Sequence, residues 1–347
     1  MPGTAVVLFN LGGPDSPEAI RPFLGNLFSD PAILRMPLIA RWFLSRLIAS
    51  RRAPFARASY AKIGGRSPLL ERTEEQARAL ELALASDGVR VFVAMRYWHP
   101  MATETVARVA ELKPDRIVLV PLYPQFSSST TASSFDDWDQ AARNAGLDAP
   151  VSRVCCFPEE AGFVAALIAG TRQAIAECSM TGSARVLFSA HGVPRKFVAA
   201  GDPYEDQVER TAAAIVAGLA IEGLDHVVCY QSRVGRLEWL GPYTDDEIRR
   251  AGRDGVPVIV VPIAFVCEHS ETLVELDIDY AELAETSGVP KYHRVPTAGT
   301  DAAFIQGLAR LVGLALAGAG PIVSEQGGRV CPAMFGDCPM TADGASA

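Results

Sequence analysis

His191 is the histidine whose setting most constrains its use. It follows the apolar run VLFSA and precedes Gly192, at the carboxyl end of a strand candidate. A polar ring leaving a buried strand is costly unless it is hydrogen-bonded or used. His191 is therefore either a satisfied structural histidine or a base that faces a ligand. His226 and His293 lie before or within modest strands and read as structural.

The second chemical signal is a row of acids. On a helix turning about 100° per residue, Glu268, Glu271, Glu275, Asp279 and Glu282 fall within an arc of about 80°. Leu273, Leu276 and Leu283 fall elsewhere, on an apolar side. Such a stripe is either the solvated face of a surface helix or a path for cations and protons, because rows of carboxylates bind divalent metals and relay protons. It begins where the apolar run 256–263 ends, so its first acids lie at a strand's carboxyl end.

Residues 31–52 mix Leu, Ile, Trp and Phe with Arg35, Arg41, Arg46, Arg51 and Arg52. A basic amphipathic segment of this kind rests on a membrane surface, lines an apolar ligand, or forms a covered helix with snorkelling arginines. The hydroxyl-rich run 127–131 could cap a helix or hold an anion. Cys178, Cys229 and Cys267 lie in helix or strand patterns and read as small core residues. Cys155 and Cys156 are adjacent, and Cys331 and Cys338 occur in CPAMFGDCP; these four are either free thiols or thiolate ligands to a cluster or zinc. Adjacent strand residues point to opposite faces, which makes Cys155–Cys156 an awkward ligand pair.

The elements that must position these groups are short. Strand candidates are 5–11, 89–95, 116–121, 151–156, 185–190, 226–231, 256–263 and 292–295, with amphipathic stretches at 70–85, 163–178, 202–219 and 270–286 between them. Thr244-Asp245-Asp246-Glu247 has capping-box spacing. Alternating helices and continuously apolar strands predict an α/β fold with parallel sheets covered on both faces. VLFNLGGP echoes VLFSAHGVP, and VLVPL echoes IVVPI, in the same order. This predicts two similar doubly wound domains, 1–160 and 161–320, then a polar cysteine-containing tail, 321–347. Ligands of such sheets bind beyond the strands' carboxyl ends, here near 11–14, 96–100, 123–131, His191, 231–233 and 268–271.

Of 347 residues, 49% are hydrophobic and 21% charged, usage that excludes a disordered chain. A net charge of −8 disfavours a general nucleic-acid binder. The apolar runs 256–267 and 311–323 fall short of the about 20 residues a spanning helix needs. Seven cysteines and a start without Lys or Arg point to a cytoplasmic, reducing compartment. Dinucleotide, P-loop, H-E-x-x-H and G-x-S-x-G patterns are absent.

In combination these motifs resemble the ferrochelatase family of bacterial type. The resemblance runs from about residue 6 to 311 through FNLGGP, FLGNLFSDP, YAKIGGRSPLL, MRYWHP, PLYPQFSSSTTASS, FSAHGVP, GDPY, YQSRVG, WLGPYTDDEI and VPIAFVCEHSETLVELDIDY. It implies two Rossmann-like halves with a porphyrin cleft, and insertion of ferrous iron into protoporphyrin IX as the last step of haem synthesis. The family's active-site histidine falls on His191 and its partner glutamate on Glu271, both catalytic and metal-meeting, beside His269. Glu268, His269, Glu275 and Asp279 fall on its proton or metal relay. Leu11, Arg52, Tyr60, Ser67, Arg96 and Tyr97 fall on its porphyrin-binding positions, and Tyr123 and Trp239 suit the porphyrin's apolar face. Arg66 and Arg236 depart from the family's usual residues, and Ser128 stands where some relatives place a cluster cysteine.

The implied partners are porphyrin and Fe²⁺, with peripheral membrane contact through 31–52, as a monomer or homodimer and with no nucleic acid. If they act as ligands rather than free thiols, Cys155, Cys156, Cys331 and Cys338 would suit a [2Fe–2S] cluster, with one of the adjacent pair a bystander. The alternatives are a chelatase for another metal or tetrapyrrole such as coproporphyrin, and a non-catalytic tetrapyrrole carrier. A carrier needs neither His191 nor the acidic row.

Overall fold

A computed structural model describes residues 3–84, 88–178, 183–235, 237–318 and 320–340. Arg236 and the end of the tail, 341–347, lie outside these described residues. The chain forms two compact units. The first comprises Met1–Cys156, Ala309–Arg329 and Pro339–Ala347, and the second Phe157–Leu308 and Val330–Cys338.

In the first unit five parallel strands are ordered β2-β1-β3-β4-β9, with β1 Thr4–Asn10, β2 Val89–Met95, β3 Arg116–Pro121, β4 Val151–Val154 and β9 Ile322–Val323. In the second, four parallel strands are ordered β6-β5-β7-β8, with β5 Arg185–His191, β6 His226–Gln231, β7 Val258–Pro262 and β8 Tyr292–Arg294. The echoed sequences occupy equivalent places. VLFN and VLFSAH are β1 and β5, each flanked by its own successor and by the proline-terminated β3 or β7. Even the bond beyond the proline repeats, Leu122 N–H to Phe9 O at 2.8 Å and Ile263 N–H to Ser189 O at 3.0 Å.

Burial explains the unbroken apolar runs. Ala5 to Leu8 and Val258 to Val261 are each 0% exposed, as expected of sheets covered on both faces. Phe9 packs edge-on against Phe135 and Trp138 at 6.1 and 5.9 Å. In the second unit Leu187, Cys229, Ile248, Val260 and Leu276 share one core cluster. Register then aligns the functional ends, pairing Asn10 with Met95 and His191 with Gln231.

Three local expectations differ. Thr244 is the first helical residue rather than the cap: Tyr243 is the N-cap, and the buried Thr244 hydroxyl meets Ser189 and Cys229 instead. The amphipathic stretch 270–286 is not one α-helix. Glu271–Asp279 is π-helical and a short α-helix, Tyr280–Thr286, follows. The segment read as a polar tail is divided between the units, since Ile322–Val323 pairs with β4 while the Gln207 amide binds Cys331 Sγ at 3.0 Å.

Candidate active site

In the second unit β5 ends on His191. Its Nδ1 lies 2.6 Å from the Gly192 carbonyl oxygen. Only an N–H can meet a carbonyl, so Nδ1 carries the proton and Nε2 is the ring's open position. Tyr204 donates its hydroxyl to the His191 carbonyl at 2.9 Å, and the Trp239 ring lies 6.4 Å from the imidazole. His269 is arranged alike. Its Nδ1 donates to the Cys267 carbonyl at 3.0 Å, leaving Nε2 to face Glu271.

Glu271 lies between these two rings. Its Oε1 is 3.6 Å from His191 Nε2 and its Oε2 is 3.4 Å from His269 Nε2. Burial alone would raise the Glu271 carboxyl, but His191 and His269 outweigh it and hold the group down at about 2. Burial pulls the His269 imidazole down, and its contacts with Glu271 reverse this to a net rise.

The π-helical segment carries the acids onward. Thr272, Val274 and Leu276 are buried, fixing one side in the core. Glu275 accepts from Gln231 Nε2 at 3.1 Å, the Ser232 N–H at 2.9 Å, the Ser232 hydroxyl and the Tyr280 hydroxyl at 3.0 Å. Burial and the Glu271 charge still leave its carboxyl above the ordinary range. Asp279 is exposed, so the row Glu271, Glu275, Asp279 runs outward to solvent.

Glu268 stands apart from that row. Its Oε1 accepts from Arg294 Nη1 at 2.6 Å and the Thr297 N–H at 3.0 Å. The α-helical phase placed it on the stripe, but the π-helical segment starts only at Glu271. Against the penalty of burial, the Arg294 charge and these bonds keep its carboxyl below the usual value.

The first unit gathers the other group. The turn after β1 needs glycine: Gly12 has φ +83°, and a Cβ there would lie 2.9 Å from Trp98 N. A Cβ on Gly13 would lie 2.4 Å from Ser67 Oγ, so Ser67 presses against this turn beside Leu11, with Tyr60 Oη nearby at 3.9 Å. Arg96 and Tyr97, beyond β2, are stitched to the same turn by bonds to Asn10 O and Leu11 O at 2.9 and 3.0 Å. Both side chains end on Asp30, whose Oδ2 accepts from Arg96 Nη2 at 2.9 Å, Tyr97 Oη at 2.7 Å and Ser133 Oγ at 2.5 Å. Burial, foremost, keeps the Tyr97 and Tyr123 phenols protonated. Arg52 lies over the Phe28 ring at 5.8 Å.

The helix Leu38–Ala61 inverts the usual pattern. Small Ser45, Ala49 and Ala53 face inward, while Leu38, Ile39, Phe43 and Phe55 are 65% or more exposed. Trp42 is half exposed, stacked beneath Arg46 at 3.7 Å. This is not a covered helix.

The seven cysteines are buried and none is in a disulfide. The Sγ atoms of Cys155 and Cys156 are 3.1 Å apart, which is possible because β4 ends at Val154 and strand alternation no longer applies. Cys155 Sγ also lies 3.8 Å from Met340 Sδ. Among the described residues no group of three or more His, Cys, Asp and Glu is placed to hold a metal ion. The four thiols do not fit a [2Fe–2S] cluster in this arrangement.

Sequence reasoning missed Asp30, Tyr204, Tyr280 and Arg294. Asp30 left a signal, a lone acid closing the apolar run FLGNLFSDP. Tyr204 and Arg294 bind through tertiary contacts that no periodicity marks, and Tyr280 reaches Glu275 five residues back, a spacing that α-helical phasing does not pair.

A sequence model described as Ferrochelatase matches residues 3–315. The chain is 54% identical over 340 residues to a protein of Phenylobacterium zucineum named ferrochelatase, covering 96% of this chain and 97% of that one. It is 52% identical over 347 residues to one of Caulobacter vibrioides, covering 99% of each, and 44% identical over 312 residues to one of Pelagibacter ubique, covering 89% and 90%. Among solved structures, the sirohydrochlorin chelatase SirB of Bacillus subtilis subspecies spizizenii with cobalt superposes with TM-score 0.53 at 12% identity, covering 91% and 97% of the chains. SirB from Bacillus subtilis with Fe³⁺ gives 0.52 at 12% identity, covering 89% and 94%. These last two establish likeness of fold alone.

Proposed function

The chain belongs to the ferrochelatase family, and we propose that its two units divide the work between holding the porphyrin and inserting the metal. The enzyme inserts ferrous iron into protoporphyrin to give haem. Iron is a substrate here, not a resident cofactor. Each turnover trades two pyrrole protons for one Fe²⁺, so the site must supply a base, a charge that attracts a cation and an exit for protons.

One observation carries the assignment: Glu271 bracketed by the Nε2 atoms of His191 and His269. A carboxyl held at about 2 is too weak a base to keep a proton near neutrality. The charge of Glu271 draws the cation and steadies an imidazolium at His191. His191, with Nδ1 tied to Gly192 O, takes the two pyrrole protons in turn on Nε2 and gives up each toward the acidic row. Glu275, whose carboxyl is raised, holds a proton more readily and passes it toward Asp279 and solvent. In the other unit, the greasy turn at Leu11 and the phenol of Tyr123 suit a macrocycle face, as does Trp239 beside His191. Arg52, Tyr60 and Ser67 suit its propionates, and Arg96 and Tyr97 form a rigid polar wall.

No helix among the described residues is long and apolar enough to cross a membrane. The helix Leu38–Ala61, with bulky apolar side chains outward and arginines between them, supports contact with a bilayer surface. Its apolar substrate and product favour that setting.

The test is loss of free-porphyrin fluorescence on adding Fe²⁺ anaerobically, with porphyrin affinity measured separately. His191→Ala and Glu271→Gln are expected to keep porphyrin binding and lose about 10²–10⁴-fold in rate. Near-wild-type turnover in His191→Ala would overturn the assignment.

A further inference from the structure

We propose that Arg294 is a positioning residue for metal insertion, locking the π-helical segment to the turn that carries His269. This rests on the ferrochelatase reading and adds a residue to its machinery. Arg294 ends β8 with a side chain only 10% exposed. Its Nε and Nη2 meet Asp277 Oδ1 and Oδ2 at 2.7 and 2.5 Å, a two-point fork, while Nη1 meets Glu268 Oε1 at 2.6 Å. Two residues earlier on the same strand, Tyr292 donates its hydroxyl to the Leu276 carbonyl at 2.7 Å. β8 therefore grips the π-helical segment at Leu276 and Asp277 and the preceding turn at Glu268.

The geometry explains why such a grip is needed. A π-helix is rare and occurs mostly as short bulges, so nine residues in that form depend on outside support. Glu271 lies between the two gripped points. Glu268 is covalently next to His269, whose Nε2 meets Glu271 Oε2. Rotation of the π-helical segment against the turn would open that contact and, through Glu271 Oε1, the one to His191. Arginine suits the task because its planar fork fixes direction as well as charge, which the point charge of lysine does not.

The experiment compares Arg294→Lys and Asp277→Asn with a control of the same kind. Arg185, at the opposite end of β5 from His191, is equally buried and bridges Asp225 and Asp254, both at 2.9 Å. Arg185→Lys removes a similar clamp remote from the chemistry. Displacements near 1 Å at a reacting group lose on the order of 10²-fold in rate. Arg294→Lys and Asp277→Asn are expected to lower kcat about 10- to 100-fold while the KM and Kd for porphyrin stay within about twofold. Arg185→Lys is expected to lower the melting temperature with kcat per folded enzyme unchanged. If Arg294→Lys does not fold, Asp277→Asn alone decides. Unchanged kcat in the folded variants, or equal kcat losses in all three, would overturn the role of Arg294. A wild type that quenches porphyrin but inserts no iron would instead overturn the reading beneath it.

Discussion

Ser232 grips Glu275 with two atoms, its N–H at 2.9 Å from Oε1 and its hydroxyl on Oε2, and does so from a left-handed backbone with φ +64°. A non-glycine residue adopts that conformation at some cost, which surrounding contacts must offset.

Removing the hydroxyl tests what the grip does. Burial and the Glu271 charge raise the Glu275 carboxyl, while the bonds from Ser232 and Gln231 lower it. Ser232→Ala deletes a lowering contribution, so the carboxyl rises further. Insertion that needs ionised Glu275 then demands a higher pH. The expected result is an acid limb of the kcat–pH profile displaced upward in Ser232→Ala. Ser232→Gly also loses the hydroxyl but relaxes the backbone, so it should show the same displacement with better stability. A profile superimposable on wild type would remove Glu275 from the proton path.

Asp30 gives a second expectation. Its carboxylate is 2% exposed and is the common acceptor for Arg96, Tyr97 and Ser133. Asp30→Asn keeps the shape but leaves the largely covered Arg96 charge with Asp137, 3.7 Å away, as its remaining acidic partner beside the Ser133 hydroxyl at 2.7 Å. Breaking a buried pair costs about 3–5 kcal/mol. Urea unfolding should show a loss of that order, and porphyrin titration a weaker affinity because the Arg96–Tyr97 wall is no longer held. Wild-type stability would mean that Arg96 finds full compensation elsewhere.

These residues mark where the sequence was readable and where it was not. β1, β3, β5 and β7 were legible because continuous apolar runs have few other uses, and the paired echoes correctly foretold two sheets of equivalent order. β9 has two residues, too short for any pattern. The Glu271–Glu275–Asp279 row emerged from α-helical phasing even though the segment is π-helical, because both geometries return near the same face after four residues. That phasing misplaced Glu268, which precedes the helix and is claimed by Arg294. Contacts such as Asp30 to Arg96, or Arg294 to Asp277, join distant segments and leave no local trace.

The exposed ridge of the helix Leu38–Ala61 should reveal itself on lipid. Replacing Leu38 and Trp42 by Ser removes apolar surface that is already 71% and 48% exposed, so folding should be little affected. Flotation with anionic vesicles should show weaker association than wild type, and added salt should weaken both through screening of the arginines. Equal flotation of the double variant and wild type would leave this ridge without a lipid role.

Gly13 offers the most localised test of the porphyrin-binding turn. A Cβ there would sit 2.4 Å from Ser67 Oγ and 2.5 Å from Ser67 Cβ. Contact with the Cβ as well as the hydroxyl means that a rotamer change alone cannot relieve the clash. Ser67 is also tethered, its N–H bonded to Pro14 O at 2.7 Å and its hydroxyl accepting from the Leu69 N–H at 3.3 Å. Gly13→Ala must therefore push the Ser67 backbone away from the turn, an overpacking that typically costs about 1–3 kcal/mol. If Ser67 meets a propionate, porphyrin Kd should rise while the rate at saturating porphyrin, set by His191 and Glu271 in the other unit, should stay close to wild type. Ser67→Ala should reproduce the weaker binding without the loss of stability. A Gly13→Ala enzyme with normal porphyrin affinity and lowered kcat would reverse the division of labour between the two units.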